Sequence, residues 1–213
     1  MQQTTGWSVT ARSEDPGWLE IPAAETVDAA SWVRERTAEL RQDWGERWHT
    51  EHAALVPAAL QHGLERRRPD DALCFQFWPV RELRMVLVHV AFGSLAEPID
   101  WGSVDGALSP IDLPALGPGV QRVFREQQRD AQSDTPIDLV GVDLVCADEH
   151  AVVHIRLEPT LPGLASDVIP SFHALAGSVA VMGPEGPFRA IEPPDAALGG
   201  AVWSAGATSG NRQ

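Results

Sequence analysis

The spacing of hydrophobic and polar positions changes several times along this chain, and each change marks an element. Residues 6–12 and 17–23 read as short extended segments on either side of a turn at Asp15, Pro16 and Gly17. From Thr26 or Asp28 to about Trp44 the period is helical. At about 100° per residue, Ala29, Val33, Thr37, Leu40 and Trp44 share one face, while Arg34, Glu35, Glu39 and Gln42 fall away from it. Either Thr26 or Asp28 would serve as N-cap, because its side-chain oxygen can accept a backbone N–H that the first turn leaves unpaired. Gly45 reads as a stop or a kink, although Trp48 would continue the stripe. A second helical run carries Leu55, Val56, Ala59, Leu60 and Leu64. Pro57 is expected in its first turn, since an interior proline loses a backbone bond and clashes.

After Pro69 the pattern becomes that of strands. Residues 72–80 and 83–92 are apolar runs joined by a short loop at 79–82, as in a hairpin. Residues 93–119 contain Pro98, Pro110, Pro114 and Pro118 and several glycines, and are expected as a long irregular segment that covers the core or binds something. Residues 119–132 fit a helix through Val120, Val123 and Phe124, and fit an exposed strand as well. Residues 135–148 and 151–160 alternate, with Val140, Val142, Leu144 and Cys146 on the more apolar side of the first. Val153, Ile155 and Leu157 are on the core side of the second, and His154 and Arg156 lie opposite. A turn at 148–150 would pair the two as antiparallel strands. A short helix ending near Gly177 and a strand at 179–182 follow. Beyond Gly183 the chain is rich in Gly, Pro and Ala without a period, which predicts a mostly disordered tail.

The expected organisation is a flexible stretch at 1–6, one α+β domain at 7–182 and the tail at 183–213. The strands and helices do not alternate regularly. The predicted architecture is therefore an antiparallel sheet of six or seven strands with the Trp-bearing helix packed on one face.

Composition narrows the function classes. All 16 basic residues are arginine, and with 30 Asp and Glu the formal net charge is −14. A field of that sign repels phosphate backbones, so a nucleic-acid partner is not expected. The one basic cluster, Arg66, Arg67 and Arg68, follows a helical pattern and precedes Pro69, which suits cations beside the unpaired carbonyls of a last helical turn. No run approaches about 18 apolar residues, and no leader-like stretch is visible, so no membrane insertion and a cytoplasmic location are expected. Cys74 and Cys146 lie in apolar runs and read as buried thiols.

Candidate chemistry is sparse. His150 and His154 would share a zinc ion only on a helix; Val152, Val153 and Ile155 favour a strand, which separates the two by about 13 Å, too far for one ion. His49 and His52 stand three apart, but no third ligand accompanies them, and a solvated helix end is the expectation. His89, within an apolar strand, is read as hydrogen-bonded structure in preference to a general base. The chain has neither GxSxG nor GxGxxG, and without lysine the phosphate-cradling lysine loop is excluded. No catalytic, cofactor-binding or metal-binding residue is assigned. Eight tryptophans are the most suggestive feature. Trp44 and Trp78 read as core. Trp32, at the edge of its helix's apolar face, and Trp101, in the Pro-rich segment, are the candidate partner-binding residues, because amphipathic aromatics make interface anchors. The competing reading is that each caps an edge of the core.

The segment PSFHALAGSVAVM (170–182) resembles the C-terminal part of small proteins common in high-GC bacteria that are similar to the PsbP-like fold. DPGWLEIPA ahead of ASWVRERTAEL fits the same pattern, and DLPALGPGVQRVFRE resembles one of its strands, which favours a strand at 119–127. The resemblance spans about residues 16–182. It implies an antiparallel sheet with helices packed across it, and relatives that are accessory or binding proteins; it supplies no catalytic motif. The expected function is a non-enzymatic interaction or accessory protein with another protein as partner, bound around residues 93–119. The alternative is a small hydrolase or ligand-binding protein whose pocket lies under that segment. A pocket lined by His89 and converging carboxylates would favour the alternative, and a flat apolar patch the first.

Overall fold

The structure is a computed structural model and describes residues 6–78, 83–129 and 134–199. In chain order the strands and main helices are β1 (Ser8–Thr10), β2 (Trp18–Glu20), α1 (Ala29–Trp44), α2 (His52–Arg66), β3 (Asp71–Phe77), β4 (Val86–Ser94), β5 (Leu108–Leu113), β6 (Gly117–Arg129), β7 (Pro136–Ala147), β8 (Ala151–Thr160), α3 (Pro162–Ser178), β9 (Ala180–Gly183) and β10 (Gly186–Pro187). The fold is α+β. An antiparallel seven-stranded sheet runs in the order β2-β3-β4-β8-β7-β6-β5, and β1, β9 and β10 form a small second sheet. No helix among the described residues is long and apolar enough to cross a membrane.

The alternation along β7 and β8 decides which face is core. Val142, Leu144 and Cys146 of β7 and Val153, Ile155 and Leu157 of β8 point to one side and are buried, joined there by Phe75, Phe77, Val88 and Val90. Helix α3 closes this face with Ala165, Val168, Ile169, Phe172, Leu175 and Ala176, spaced as one stripe of a helix. Each fully buried large apolar side chain contributes about 1.5–3 kcal/mol. On the opposite face, α1 and α2 form two smaller clusters with the β2–β4 half: Trp44, Val56, Leu60 and Trp78 in one, Ile21, Leu64 and Cys74 in the other. Farther along that face the side chains are polar, because His154 and Arg156 alternate with the core residues of β8.

Local sequence accounts for the helix ends. Asp28 is the N-cap of α1, its carboxylate accepting the Ser31 N–H at 2.9 Å. Gly45 ends the helix at a φ of 54°, a conformation that costs glycine little. Pro57 differs from expectation: α2 begins at His52, so the proline is its sixth residue and lies beyond the first turn. The bond it cannot make would have gone to the carbonyl of Ala53, which is an exposed residue.

Two further expectations are corrected. Residues 93–119 are not one irregular segment. β4 runs to Ser94, Leu108–Leu113 is β5 and Gly117 opens β6, so only 95–107 and the short turn at 114–116 lie between strands. Pro110 misleads here because β5 is the last strand of the sheet, with no further strand on its outer side, and Pro118 lies in β6 ahead of Val120, where that strand's pairing with β7 begins. The expected disordered tail is in part a strap. Phe188 is 2 % exposed in the main core, and the N–H groups of Ala190, Ile191 and Gly199 bond to the carbonyls of Leu116, Ala147 and Leu108. One aromatic anchor and backbone bonds hold the strap without any periodic pattern. The strand expected over 119–127 is present as β6, and the turn at 148–150 joins β7 to β8. The expected loop at 79–82, Trp203 with residues 200–213, and all but Gly6 of the 1–6 stretch lie outside the described residues.

Candidate functional site

A cleft of about 930 Å³ opens between α3, the edge strand β5 and residues 12–15. Its apolar wall includes Ile111, Leu113 and Leu144, and the small residues Ala174 and Gly177 leave room on the helix side. Residues 12–15 are fixed across it by three bonds. The Arg12 N–H donates to Ser178 Oγ at 2.9 Å, Ser171 Oγ donates to Asp15 Oδ2 at 3.1 Å, and the Gly17 N–H donates to Asp15 Oδ1 at 2.9 Å. Deeper in, His173 Nε2 meets the Oε1 of Gln121 at 2.8 Å. Gln121 is a polar residue on the core side of β6, opposite Leu144, and its Nε2 has no partner. Burial holds His173 below the ordinary histidine range, so the ring is neutral at neutral pH. Cys146 is no nucleophile: burial first, and the charge of Asp112 second, push its thiol up to about 12.

His89 is not in this cleft. It is buried on the opposite face, where Nδ1 lies 2.6 Å from Asp71 Oδ2 and Nε2 lies 3.0 Å from Glu158 Oε1. Burial pulls its pKa down, but hydrogen bonds to Asp71, Cys74 and Glu158 outweigh this and raise it to about 11. Glu158 is likewise pushed up by burial and brought down to about 2 by His89 and Arg66. The ring is an imidazolium clamped between carboxylates and cannot take up a proton as a general base. Ligand atoms of Asp71, Cys74 and His89 lie within 4.8 Å of one another, the one such trio among the described residues. Both ring nitrogens of His89 already face carboxylates, so neither offers a lone pair to a shared ion. The basic cluster also has partners other than its own helix end. Arg66 bonds Glu158 at 2.6 Å, Arg67 bonds the carbonyls of Ile21, Asp71 and Ala72, and the Arg68 N–H donates to Asp71.

A second polar knot centres on Asp143, which is 3 % exposed. His154 Nε2 donates to its Oδ1 at 2.8 Å, and Arg122 donates to its Oδ2 through Nη2 at 2.6 Å and Nε at 3.1 Å. Burial raises the Asp143 pKa, but His154, Arg122 and Arg156 together bring it below the ordinary value. The Arg122 and Arg156 guanidiniums also sit over the Phe124 ring, at 5.1 and 4.6 Å from its centroid. Phe124 lies across the strand pair from Gly141, where a Cβ would fall against three of its ring atoms. His150 is in the turn and His154 in the strand, so the two are not brought to one point by a helix.

The expected solvated end at His49 and His52 holds for His49, which is exposed, and is corrected for His52, which is buried: its Nδ1 accepts the His49 N–H at 2.9 Å, and its ring stands edge-on to Trp44. Trp32 is half-buried and packs against both clusters under α1 and α2. Trp101 is half-buried and opens a single 3-10 turn, Trp101–Ser103. Neither lines the cleft. Asp15, Gln121, Ser171 and His173 were not expected as site residues. The one signal for them is Gln121, a polar side chain at an inward position of its strand. No protein-family model matches the chain, and no curated protein matches it.

Proposed function

We propose that this is a binding protein, not a catalyst, and that it takes a small, partly apolar molecule into the cleft between α3 and β5. The observation that carries this reading is the cleft itself. Its volume of about 930 Å³ is that of a small-molecule site, and apolar walls surround a few polar groups. Of the two outcomes set out from sequence, the pocket is favoured over the flat patch, with His173 in the place expected of His89. Residues 110–114, which lie in the segment expected to bind or to cover, form one wall.

The hydroxyls argue against catalysis. Ser178 gives its proton to the Leu175 carbonyl, which is no base, and Ser171 gives its own to the Asp15 carboxylate, while the cleft's histidine, His173, is bonded to Gln121 and to neither hydroxyl. The resemblance to PsbP-like accessory and binding proteins supports the same reading. A cytoplasmic setting is part of the proposal, supported by two free buried thiols, and so is the absence of a nucleic-acid partner, supported by the net charge of −14. An anchoring role for Trp32 and Trp101 toward a protein partner is not needed for it.

The test is a small-molecule fragment screen on the full chain, followed by amide chemical shifts. Shifts from apolar fragments are expected to gather on Ile111, Leu113, Leu144 and His173, and Ala174→Trp, which fills the cleft from an exposed helix position, should abolish them. Fragments that bind elsewhere, or equally well to the Trp variant, would overturn the proposal.

A further inference from the structure

We infer that the small molecule taken into this cleft is a short peptide in extended form, which adds a strand to the free edge of β5 and carries a basic side chain between two apolar ones. The inference rests on the cleft being a ligand site and adds the chemical class. In an antiparallel ladder, residues whose N–H and C=O face the neighbouring strand alternate with residues whose groups face away. The Leu108 carbonyl takes the Gly199 N–H, so Leu108 faces away from β6. The pairing from Leu108 to Leu113 has no register shift, and its two-residue period turns the backbone groups of Pro110 and Asp112 outward as well. Pro110 has no N–H to offer. The edge therefore presents the Pro110 carbonyl, then the Asp112 N–H and carbonyl, in the spacing of a strand. The strap lies along this edge as a parallel strand would, but only at Leu108. Such a short row of open groups, beside a cleft, suits the backbone of a few peptide residues.

A cavity lies on each side of that edge. Ile111 and Leu113 line the cleft under α3, where Leu144 completes the apolar wall. Pro110 and Asp112 alternate to the other face of β5. There they line a second cavity of about 510 Å³, with Pro118 and the strap residues Glu192, Pro193 and Leu198. Side chains of a strand point alternately to the two faces of its sheet. A peptide laid along Pro110 and Asp112 thus sends one side chain into the second cavity and its two neighbours into the cleft. The cleft side is apolar. The second cavity holds the Asp112 and Glu192 carboxylates, and neither has a cationic partner among the described residues. A basic side chain complements them, and the net charge of −14 favours its approach. An apolar molecule without amide groups would fill the cleft and leave both the edge and the second cavity unused.

The probe is the end-capped pentapeptide alanine-leucine-lysine-leucine-alanine, titrated into the full-length protein at neutral pH by calorimetry and by amide shifts. It is expected to move the amides of Ile111, Asp112 and Leu113 and to slow hydrogen exchange at the Asp112 N–H. Two N-methylated forms isolate the backbone. Methyl groups on both leucine nitrogens, or on the lysine nitrogen, block opposite edges of an extended peptide. One form should bind as the parent does and the other about ten-fold or more weakly, and which one reports the direction of the peptide. Norleucine in place of the lysine should weaken binding several-fold, and this difference should vanish in the double variant Asp112→Asn with Glu192→Gln. Equal binding by the two methylated forms, or an unmoved Asp112 amide, would overturn the peptide inference; apolar fragments that still gather on Leu144 would leave the cleft reading standing. Norleucine binding as tightly as lysine would overturn the basic position. Amides of Ile111 and Asp112 that move in Trp203→Ala without peptide would put this chain's own segment on the edge, and shifts there that follow protein concentration would put a second copy there; either overturns the inference. Failure of both peptide and fragments to bind would overturn both readings.

Discussion

His89 and Glu158 are joined at 3.0 Å between Nε2 and Oε1, and through Arg66 this contact ties the end of α2 to the two central strands of the sheet. The pH dependence of stability follows from it. The folded pKa of His89, about 11, is raised above the ordinary 6.5, so its contribution is whole below pH 6.5 and is lost as pH rises through about 11. Glu158, at about 2, is lowered from 4.5, so its contribution is present above pH 4.5 and lost as pH falls through about 2. Urea denaturation is expected to show greatest stability between those two limits, with a decline toward alkaline pH that His89→Leu flattens. An equally steep alkaline decline in that variant would remove His89 as its source.

Glu158→Gln leaves the imidazolium with one carboxylate where it had two. Breaking a buried ion pair from one side costs about 3–5 kcal/mol. A loss near that size is expected in chemical denaturation at neutral pH, larger than for Arg36→Ala, whose partner Glu39 is exposed.

Asp143→Asn should be destabilising for a related reason, since Arg122, His154 and Arg156 converge on that carboxylate. Its pKa lies below the ordinary 3.8, so its contribution is present above pH 3.8 and is lost as the pH falls through the lower folded value. The variant is expected to be less stable than wild type at neutral pH by about 2–4 kcal/mol and to converge on it in strong acid. A constant gap across the acid range would count against this account.

Gly141 and Phe124 form a pair that a double-mutant cycle can isolate. Gly141→Val places a side chain where the ring lies and should cost about 1–3 kcal/mol. In the Phe124→Ala background much of that cost should disappear, giving a coupling of about 1 kcal/mol or more. Additive effects would mean that the ring does not constrain position 141.

Phe188→Ala tests the strap. Loss of a buried Phe costs about 3–5 kcal/mol, and the amides of Ala190 and Ile191 should lose protection from hydrogen exchange with it. If those amides stay protected, the backbone bonds hold the strap without the aromatic.

The elements that were legible in the sequence are those whose local pattern and tertiary role agree. β7 and β8 alternate because one face is core throughout, and α1 has both its cap at Asp28 and its stop at Gly45 in the sequence. β5 is hidden because its proline, Pro110, and the neighbouring Pro114 and Pro118 read as loop, and the strand's place at the sheet edge makes Pro110 harmless. The strap was hidden because it has no period, and Phe188 is a single residue. The cleft could not be read at all. His173 and Gln121 are 52 positions apart, and Asp15 and Ser171 are 156 apart, so no spacing along the chain announces that they meet. The sequence places His89 in the structure as a hydrogen-bonded residue, and its bonds to Asp71 and Glu158 give that reading its content, but those partners, 18 and 69 positions away, are not legible in the chain.

Leu198 bridges to Leu108 in parallel, and the Gly199 N–H takes the Leu108 carbonyl. These contacts cover the start of the sheet's outer boundary at β5, where Pro110 already removes one donor, while the other boundary is the three-residue β2. Among the described residues, neither margin offers a second molecule a long run of open backbone to zip onto. Trimming the chain back to Gly183 would strip that cover, and the shortened protein is one in which filament growth should begin from β5.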